Sequence, residues 1–374
     1  MQVRIEHIDD VLPHIPQDVG IVVTERPGLR IIDYVFTTEA TFPTPMAQEC
    51  RGLKFAPNGR ILARPLHKFF NIGERQSVSE IEWSIPHVVL DKLDGSMIHP
   101  CFLGDRLTFM TRLGESRHAK AALSHADAAI LKLSRDLLTA GMTPVFEFTS
   151  PENRVVLAYS ETKLTLIAVR ETISGAYLGH TELMDFATRY GVPLVEQFGS
   201  VEDAVAFMAK GRGLTDVEGY VVAFENGHRI KLKADAYVLR HKALAGVSKE
   251  RNLLEWIAKD AIDDVLPLLA DDIAERVATY RNQVFEALEL HVARVNDFAE
   301  QHESLPRKEI AFAAREKLDQ RLHGALFAML DGKDCRKAVR RVLTWASRSD
   351  ARMESIRDLF DMAWDGIDLE IEPG

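Results

Sequence analysis

His87-Val88-Val89-Leu90-Asp91-Lys92-Leu93-Asp94-Gly95-Ser96 reads as a buried strand that runs straight into a tight turn with a lysine at its entry. A short apolar run bounded by turn residues has the length of a core strand, and Asp-Gly supplies the reversal. A lysine attacks an electrophile only as the neutral amine. A catalytic reading therefore requires surroundings that lower its pKa, as nearby cations and a bound metal can. The plainer reading is a surface turn, because Asp-Gly pairs are common there.

Downstream, Met97 to Phe102 and Leu107 to Arg112 predict a hairpin turning at Gly104-Asp105. The Ala- and Leu-rich text from about Glu115 to Thr139 predicts one helix capped by Gly141. Strands resume at Pro144 to Phe148 and Leu164 to Val169, followed by short helices near Glu182 to Tyr190 and Val201 to Ala209. Val217 to Phe224 and Arg229 to Lys233 flank Glu225-Asn226-Gly227, a strong hairpin signal. Upstream, strand text covers Ile21 to Val23, Leu29 to Phe36 and Arg51 to Phe55, and Pro57-Asn58-Gly59 turns into Ile61 to Ala63. After about Ala245 the strands stop and amphipathic helical text runs nearly to the end. With Gly246-Val247-Ser248 as the boundary, residues 1–245 form one domain and 246–374 a helical second.

The 374 residues, 46% hydrophobic, describe a globular chain long enough for two domains. No apolar stretch is long enough to span a bilayer, and Met1 to Glu6 lacks the order of a secretory signal. Cys50, Cys101 and Cys335 are odd in number and far apart, so they give neither a disulfide framework nor a zinc spacing. The expected home is a reducing cytoplasm, that of the host if the source is viral. A net charge of −10 argues against a bulk basic nucleic-acid binder. Phosphates respond to local fields, however, so motifs outweigh the total.

Lys231-Leu232-Lys233 places two lysines on one face of a strand. Two ammonium groups there could clamp a triphosphate and stabilise charge on its α-phosphate; a solvated strand face explains the pair as simply. Glu147 in Phe146-Glu147-Phe148 and Glu218 in Val217-Glu218-Gly219-Tyr220-Val221-Val222 are carboxylates in apolar strands. Each suits Mg²⁺ or a ribose hydroxyl, an arginine partner, or water.

Order changes these odds. A Lys-x-Asp-Gly turn, Phe-Glu-Phe, Glu-Gly-Tyr-Val-Val and Lys-x-Lys follow one another as in covalent nucleotidyltransferases. Further text narrows the branch: Glu49-Cys50-Arg51-Gly52-Leu53-Lys54-Phe55, Arg64 to Asn71, Phe146 to Tyr159, Val169-Arg170-Glu171 and Lys231 to Val238. Over residues 30 to 240 the chain resembles the bacteriophage T4 RNA ligase 1 family, with a weaker likeness into the helical tail. The resemblance implies an α+β fold: a ligase-type adenylation domain of antiparallel β-sheets flanked by helices, followed by an all-α C-terminal domain.

It also implies an ATP-dependent RNA ligase that carries AMP on Lys92, using ATP with Mg²⁺, or Mn²⁺ in its place. Tyr34, Arg51, Lys68 and Phe70 would surround the nucleotide, with Phe70 near adenine. Glu147 would hold the ribose, Lys231 and Lys233 the phosphates, and Tyr237 would serve the later ligation steps. Glu218 would serve the metal, with Asp263 and Asp264 of an Ala-x-Asp-Asp element in the tail; adjacent helix residues point to different faces, so at most one of the two would face the site, and an acidic helix surface explains the pair as simply. Leu93 stands where the family's type member has an acid, at a position that varies across the superfamily. The expected substrate is RNA with 5′-phosphate and 3′-hydroxyl ends, such as a cleaved tRNA, and the expected role is RNA repair. No membrane and no obligate protein partner are indicated. Arg336-Lys337, Arg340-Arg341 and Arg348 give the tail local basic character for RNA choice, or a solvated helix face. Rival readings are an mRNA capping enzyme loading GMP, a DNA ligase, and a non-catalytic RNA-binding relative; the last needs a lost lysine that this chain retains.

Overall fold

The computed structural model of the chain describes residues 3–367 and divides into two compact units, with the break between Val238 and Leu239. The first unit contains β1 (Ile21–Arg26), β2 (Leu29–Tyr34), β3 (Leu53–Phe55), β4 (Ile61–Ala63), β5 (Phe70–Asn71), β6 (His87–Asp91), β7 (Ser96–Leu103), β8 (Arg106–Met110), β9 (Met142–Thr149), β10 (Lys163–Glu171), β11 (Gly219–Phe224) and β12 (Arg229–Lys233). They form three four-stranded sheets, ordered β1-β2-β3-β4, β10-β9-β7-β8 and β5-β12-β11-β6. The pairings are antiparallel except for β5 along β12, where Ile230 faces Phe70 and Lys231 faces Asn71.

Each expected hairpin forms at its turn residues. In the last of them Asn226 Oδ1 accepts the His228 N–H at 3.0 Å, and Gly227 adopts a φ of 85°. The middle sheet buries Ile98, Phe146, Phe148 and Leu166 against helices Arg117–His125, Ala128–Thr139 and His180–Tyr190. The third sheet buries Val89, Val222, Ile230 and Leu232 against Met208 of helix Ala204–Arg212.

Two expectations about helices are corrected. The single helix from Glu115 to Thr139 is two, because Ala126 is extended and Asp127 accepts the Ile130 N–H at 2.8 Å. Asp gains more as an N-cap than inside a helix. Continuous helix also begins at Asp235, ahead of the expected change after Ala245; the compact units part inside this helix, which runs to Val247.

The second unit is all helical among its described residues. Its longest helix, Asp271–Gln301, buries Val277, Tyr280, Val284, Leu288, His291, Val295 and Phe298. That three-to-four spacing makes one apolar stripe, against which helices His323–Leu330 and Cys335–Ala346 pack. The fold is thus α+β, antiparallel sheets with flanking helices followed by a helical region.

Candidate active site

Lys92 follows β6 directly, and its N–H donates to Gly219 O at 3.0 Å, which fixes it beside the start of β11. Its Nζ lies 2.6 Å from Glu218 Oε1, and Lys233 Nζ reaches the same oxygen at 3.0 Å. The Glu218 side chain is 4% exposed and that of Lys92 is 21% exposed, so the ion pair sits at the base of an opening. Gly219 makes this geometry possible. Its φ is 140°, and a Cβ there would meet Leu232 O at 2.0 Å. No side chain fits, and the chain can turn Glu218 inward between two lysines.

Asp94, the acid of the turn, is 2% exposed and fully engaged. Its Oδ2 accepts the N–H groups of Val156 at 2.8 Å and Leu157 at 2.7 Å, and its Oδ1 accepts the Tyr237 hydroxyl at 2.6 Å. The Asp94 N–H donates to Tyr159 Oη at 3.0 Å, and the Gly95 N–H donates to Glu147 Oε1 at 3.1 Å. Asn153 Nδ2 donates to Ser96 Oγ at 3.2 Å and to Phe148 O at 2.9 Å, pinning the end of the turn to β9. The segment after β9 therefore acts as a clip that holds the lysine-bearing turn rigid.

Electrostatics separate the lysines. Burial pushes the Lys92 ammonium down, but Glu218, then Glu147 and Asp94, pull it above the ordinary lysine value. This corrects the expectation that surrounding cations depress Lys92; its nearest neighbours are carboxylates. Lys231 is depressed instead, brought to about 7 by burial and by Lys92, Lys68, Lys233 and Arg51. Glu218 is held below its usual value by Lys92 and Lys233, although burial opposes this. Lys68 is pushed down by burial, with Arg51 adding to it.

Arg51, Met97, Glu147 and Phe69 line one cavity with Lys92, while Lys68, Phe69, Phe70 and Phe42 line a second. Arg51 Nη1 donates to Leu66 O at 3.4 Å and to Met97 Sδ at 3.2 Å. Tyr34 is 1% exposed; Lys68 Nζ lies 5.0 Å from its ring centroid and 5.6 Å from that of Phe42. Tyr34 thus meets the site through Lys68. Phe42 and Phe69 escaped the sequence reading, although Phe69 adjoins Phe70 in a quoted motif. Also missed was the buried support: Glu49 binds Arg64 at 2.8 Å and Arg170 at 2.9 Å, and Arg170 Nη1 donates to Pro65 O at 2.7 Å. This joins the segments before Arg51 and Lys68 to β10.

Asp263 and Asp264 lie in the helical unit on the short helix Ile262–Val265. Asp263 Oδ1 is 2.5 Å from Arg281 Nη1, and Asp264 is exposed. Among the described residues no three His, Cys, Asp or Glu side chains converge as a metal cage. Mg²⁺ requires none, since it keeps waters and takes one or two carboxylates with substrate phosphates. Glu218, 2.6 Å from Lys92, is a buried carboxylate of the type such a site uses. No described helix is long and apolar enough to cross a membrane.

Residues 49–243 match the family model described as RNA ligase, of the T4 RNA ligase 1 type. The chain is 28% identical over 292 residues to a protein of Thermovibrio ammonificans named "Putative RNA ligase", covering 74% of this chain and 75% of that one. It is 29% identical over 272 residues to RNA ligase 1 of bacteriophage TS2126, covering 67% of this chain and 66% of the phage protein. An archaeal ATP-dependent RNA ligase structure aligns with a TM-score of 0.46 at 17% identity, over 61% of this chain and 62% of that chain.

Proposed function

The chain belongs to the T4 RNA ligase 1 family of RNA ligases, and on that premise we propose that it is ATP-dependent and joins RNA ends through AMP carried covalently on Lys92. The observation that carries this is the Lys92–Glu218–Lys233 triad, at 2.6 and 3.0 Å, among the further cations Lys231, Lys68 and Arg51.

In the first transfer the neutral Lys92 amine attacks the α-phosphorus of ATP. A P–N bond forms, the bond to pyrophosphate breaks, and the nitrogen releases one proton to solvent. Lys231 and Lys233 neutralise the charge that builds on the phosphates. Glu218 is the residue that would hold Mg²⁺, which when bound would shield phosphate charge and orient the leaving group, and Glu147 would hold the ribose. Drawing Glu218 away from Lys92 removes the counter-charge that keeps the ammonium protonated. In the second transfer a 5′-phosphate oxygen of RNA attacks the lysyl-bound AMP, the P–N bond breaks and Lys92 regains a proton. In the third the RNA 3′-hydroxyl attacks the activated phosphate, a phosphodiester forms and AMP leaves. Tyr237, bound to Asp94, is assigned to these ligation steps. The helical segment from residue 246 is assigned to choice of RNA, of the kind a cleaved tRNA loop offers.

Incubation with labelled ATP and, in parallel, labelled GTP tests the reading. ATP should label the protein and GTP should not, and Lys92→Ala and Lys92→Arg should both abolish the label. Guanidinium stays protonated, so arginine cannot replace the amine. A labelled adduct surviving Lys92→Ala removes Lys92 from the mechanism, and selective GMP loading turns the assignment to capping chemistry.

A further inference from the structure

We propose that the helical unit carries a nucleobase pocket in which Trp345 stacks on an unpaired base of the RNA while Arg341 meets its phosphate. The cavity is lined by Ala325 and Ala328 of helix His323–Leu330, by Val342 and Trp345 of helix Cys335–Ala346, and by Ile356. Its charged lining residues are Arg321 and Arg341, and no Asp or Glu is among the lining, in a chain whose net charge is −10.

The arginines divide by what already holds them. Arg321 is fixed by Asp319 at 2.6 Å and Asp358 at 2.6 Å, so its charge is largely neutralised. Arg336 is paired with Glu289 at 2.5 Å, and Arg340 is paired with Asp260. Arg341 is exposed and, among the described residues, has neither a hydrogen-bond nor an ion-pair partner. It stands one turn before Trp345, at the i, i+4 spacing that makes two helix residues neighbours. Trp345 is 43% exposed, and the Arg352 guanidinium lies 5.1 Å from its ring centroid.

An exposed indole at a small apolar cleft with an unpaired arginine beside it has the chemistry of a base-stacking platform. Unpaired bases stack on aromatic side chains and on guanidinium planes, and the adjoining phosphate takes the free cation. The unpaired Arg341 cation calls for an anionic occupant and the indole beside it for a planar one, which together favour a nucleotide.

The inference rests on the RNA-ligase reading only for the identity of the polymer. The full chain is titrated into a fluorescent single-stranded oligoribonucleotide, and into the same strand in duplex, with anisotropy as the readout. Trp345→Ala should weaken single-strand binding about tenfold, the order expected for one lost base–aromatic stack, and leave duplex binding in place. Trp345→Phe should recover most of the loss. Arg341→Ala should reduce the slope of log affinity against log salt by about one. Single-strand affinity indifferent to Trp345→Ala overturns the proposal. So does an equal loss for the duplex, or a fall in sedimenting mass without a change in RNA binding, which marks a protein contact. No chemistry enters this titration. A chain that takes no AMP yet binds RNA through Trp345 sinks the ligase reading alone, and one that ligates RNA with binding indifferent to Trp345 sinks this one alone.

Discussion

The Tyr237 hydroxyl donates to Asp94 Oδ1 at 2.6 Å, tying the start of helix Asp235–Val247 to the turn that carries Lys92. A neutral donor on a buried carboxylate makes a strong bond, and its loss leaves an acceptor unsatisfied. Tyr237→Phe should cost about 1.5–3 kcal/mol of stability, read from denaturant midpoints. Sealing of pre-adenylated RNA should fall further than labelling by ATP. Equal losses in both steps would leave Tyr237 a structural post only.

Glu218 sets the protonation of Lys92. The lysine is raised chiefly by that carboxylate against the pull of burial, so Glu218→Gln should lower its pKa. The neutral amine then appears at lower pH. In single-turnover adduct formation the rising acid limb should move toward acid, while the plateau drops for want of the carboxylate proposed to hold Mg²⁺. An acid limb that stays put, or moves toward base, contradicts the assignment.

Lys231 predicts the pH dependence of phosphate capture. At about 7 its amine is charged below neutrality and loses its proton above. Its contribution to pyrophosphate affinity is therefore complete in mild acid and declines as pH rises through 7, up to about tenfold per unit. Calorimetry of wild type and Lys231→Met should show an affinity gap that narrows with rising pH, and wild-type binding near pH 8 should take up a proton. A gap constant with pH would deny Lys231 this role.

The buried Glu49 carboxylate is held far below the ordinary glutamate range by Arg170 and Arg64, despite burial. Glu49→Gln leaves those guanidiniums without a counter-charge, at a cost of about 3–5 kcal/mol. The depressed pKa means that this stability is present above the unfolded value and fades as pH falls toward the folded one. The gap between wild type and variant, followed by denaturant unfolding, should hold at neutral pH and shrink on acidification below 4.5.

Local grammar made much of the site legible. Lys92 sits at the strand end its apolar run announced, and Lys231 and Lys233 alternate on β12 after the Asn226-Gly227 turn. The ordered motifs named the family. What stayed hidden depends on contacts across long stretches of chain. Asp94 looked like a turn residue, yet its partners Val156, Leu157, Tyr159 and Tyr237 lie far along the sequence. Spacing also cannot choose between an arginine and a lysine as the partner of Glu218; β11–β12 register decides for Lys233, with Gly219 opposite it. The break at Ala126 was missed because an alanine-rich window hides a capping Asp127.

Glu218 bridges Lys92 and Lys233, and the bridge has a bearing on selectivity toward small molecules. Aldehydes, acyl phosphates and dissolved carbon dioxide all modify free amines. An ammonium tethered to a carboxylate offers them no lone pair, so the lysine is sheathed against stray modification and bared only as that tether loosens.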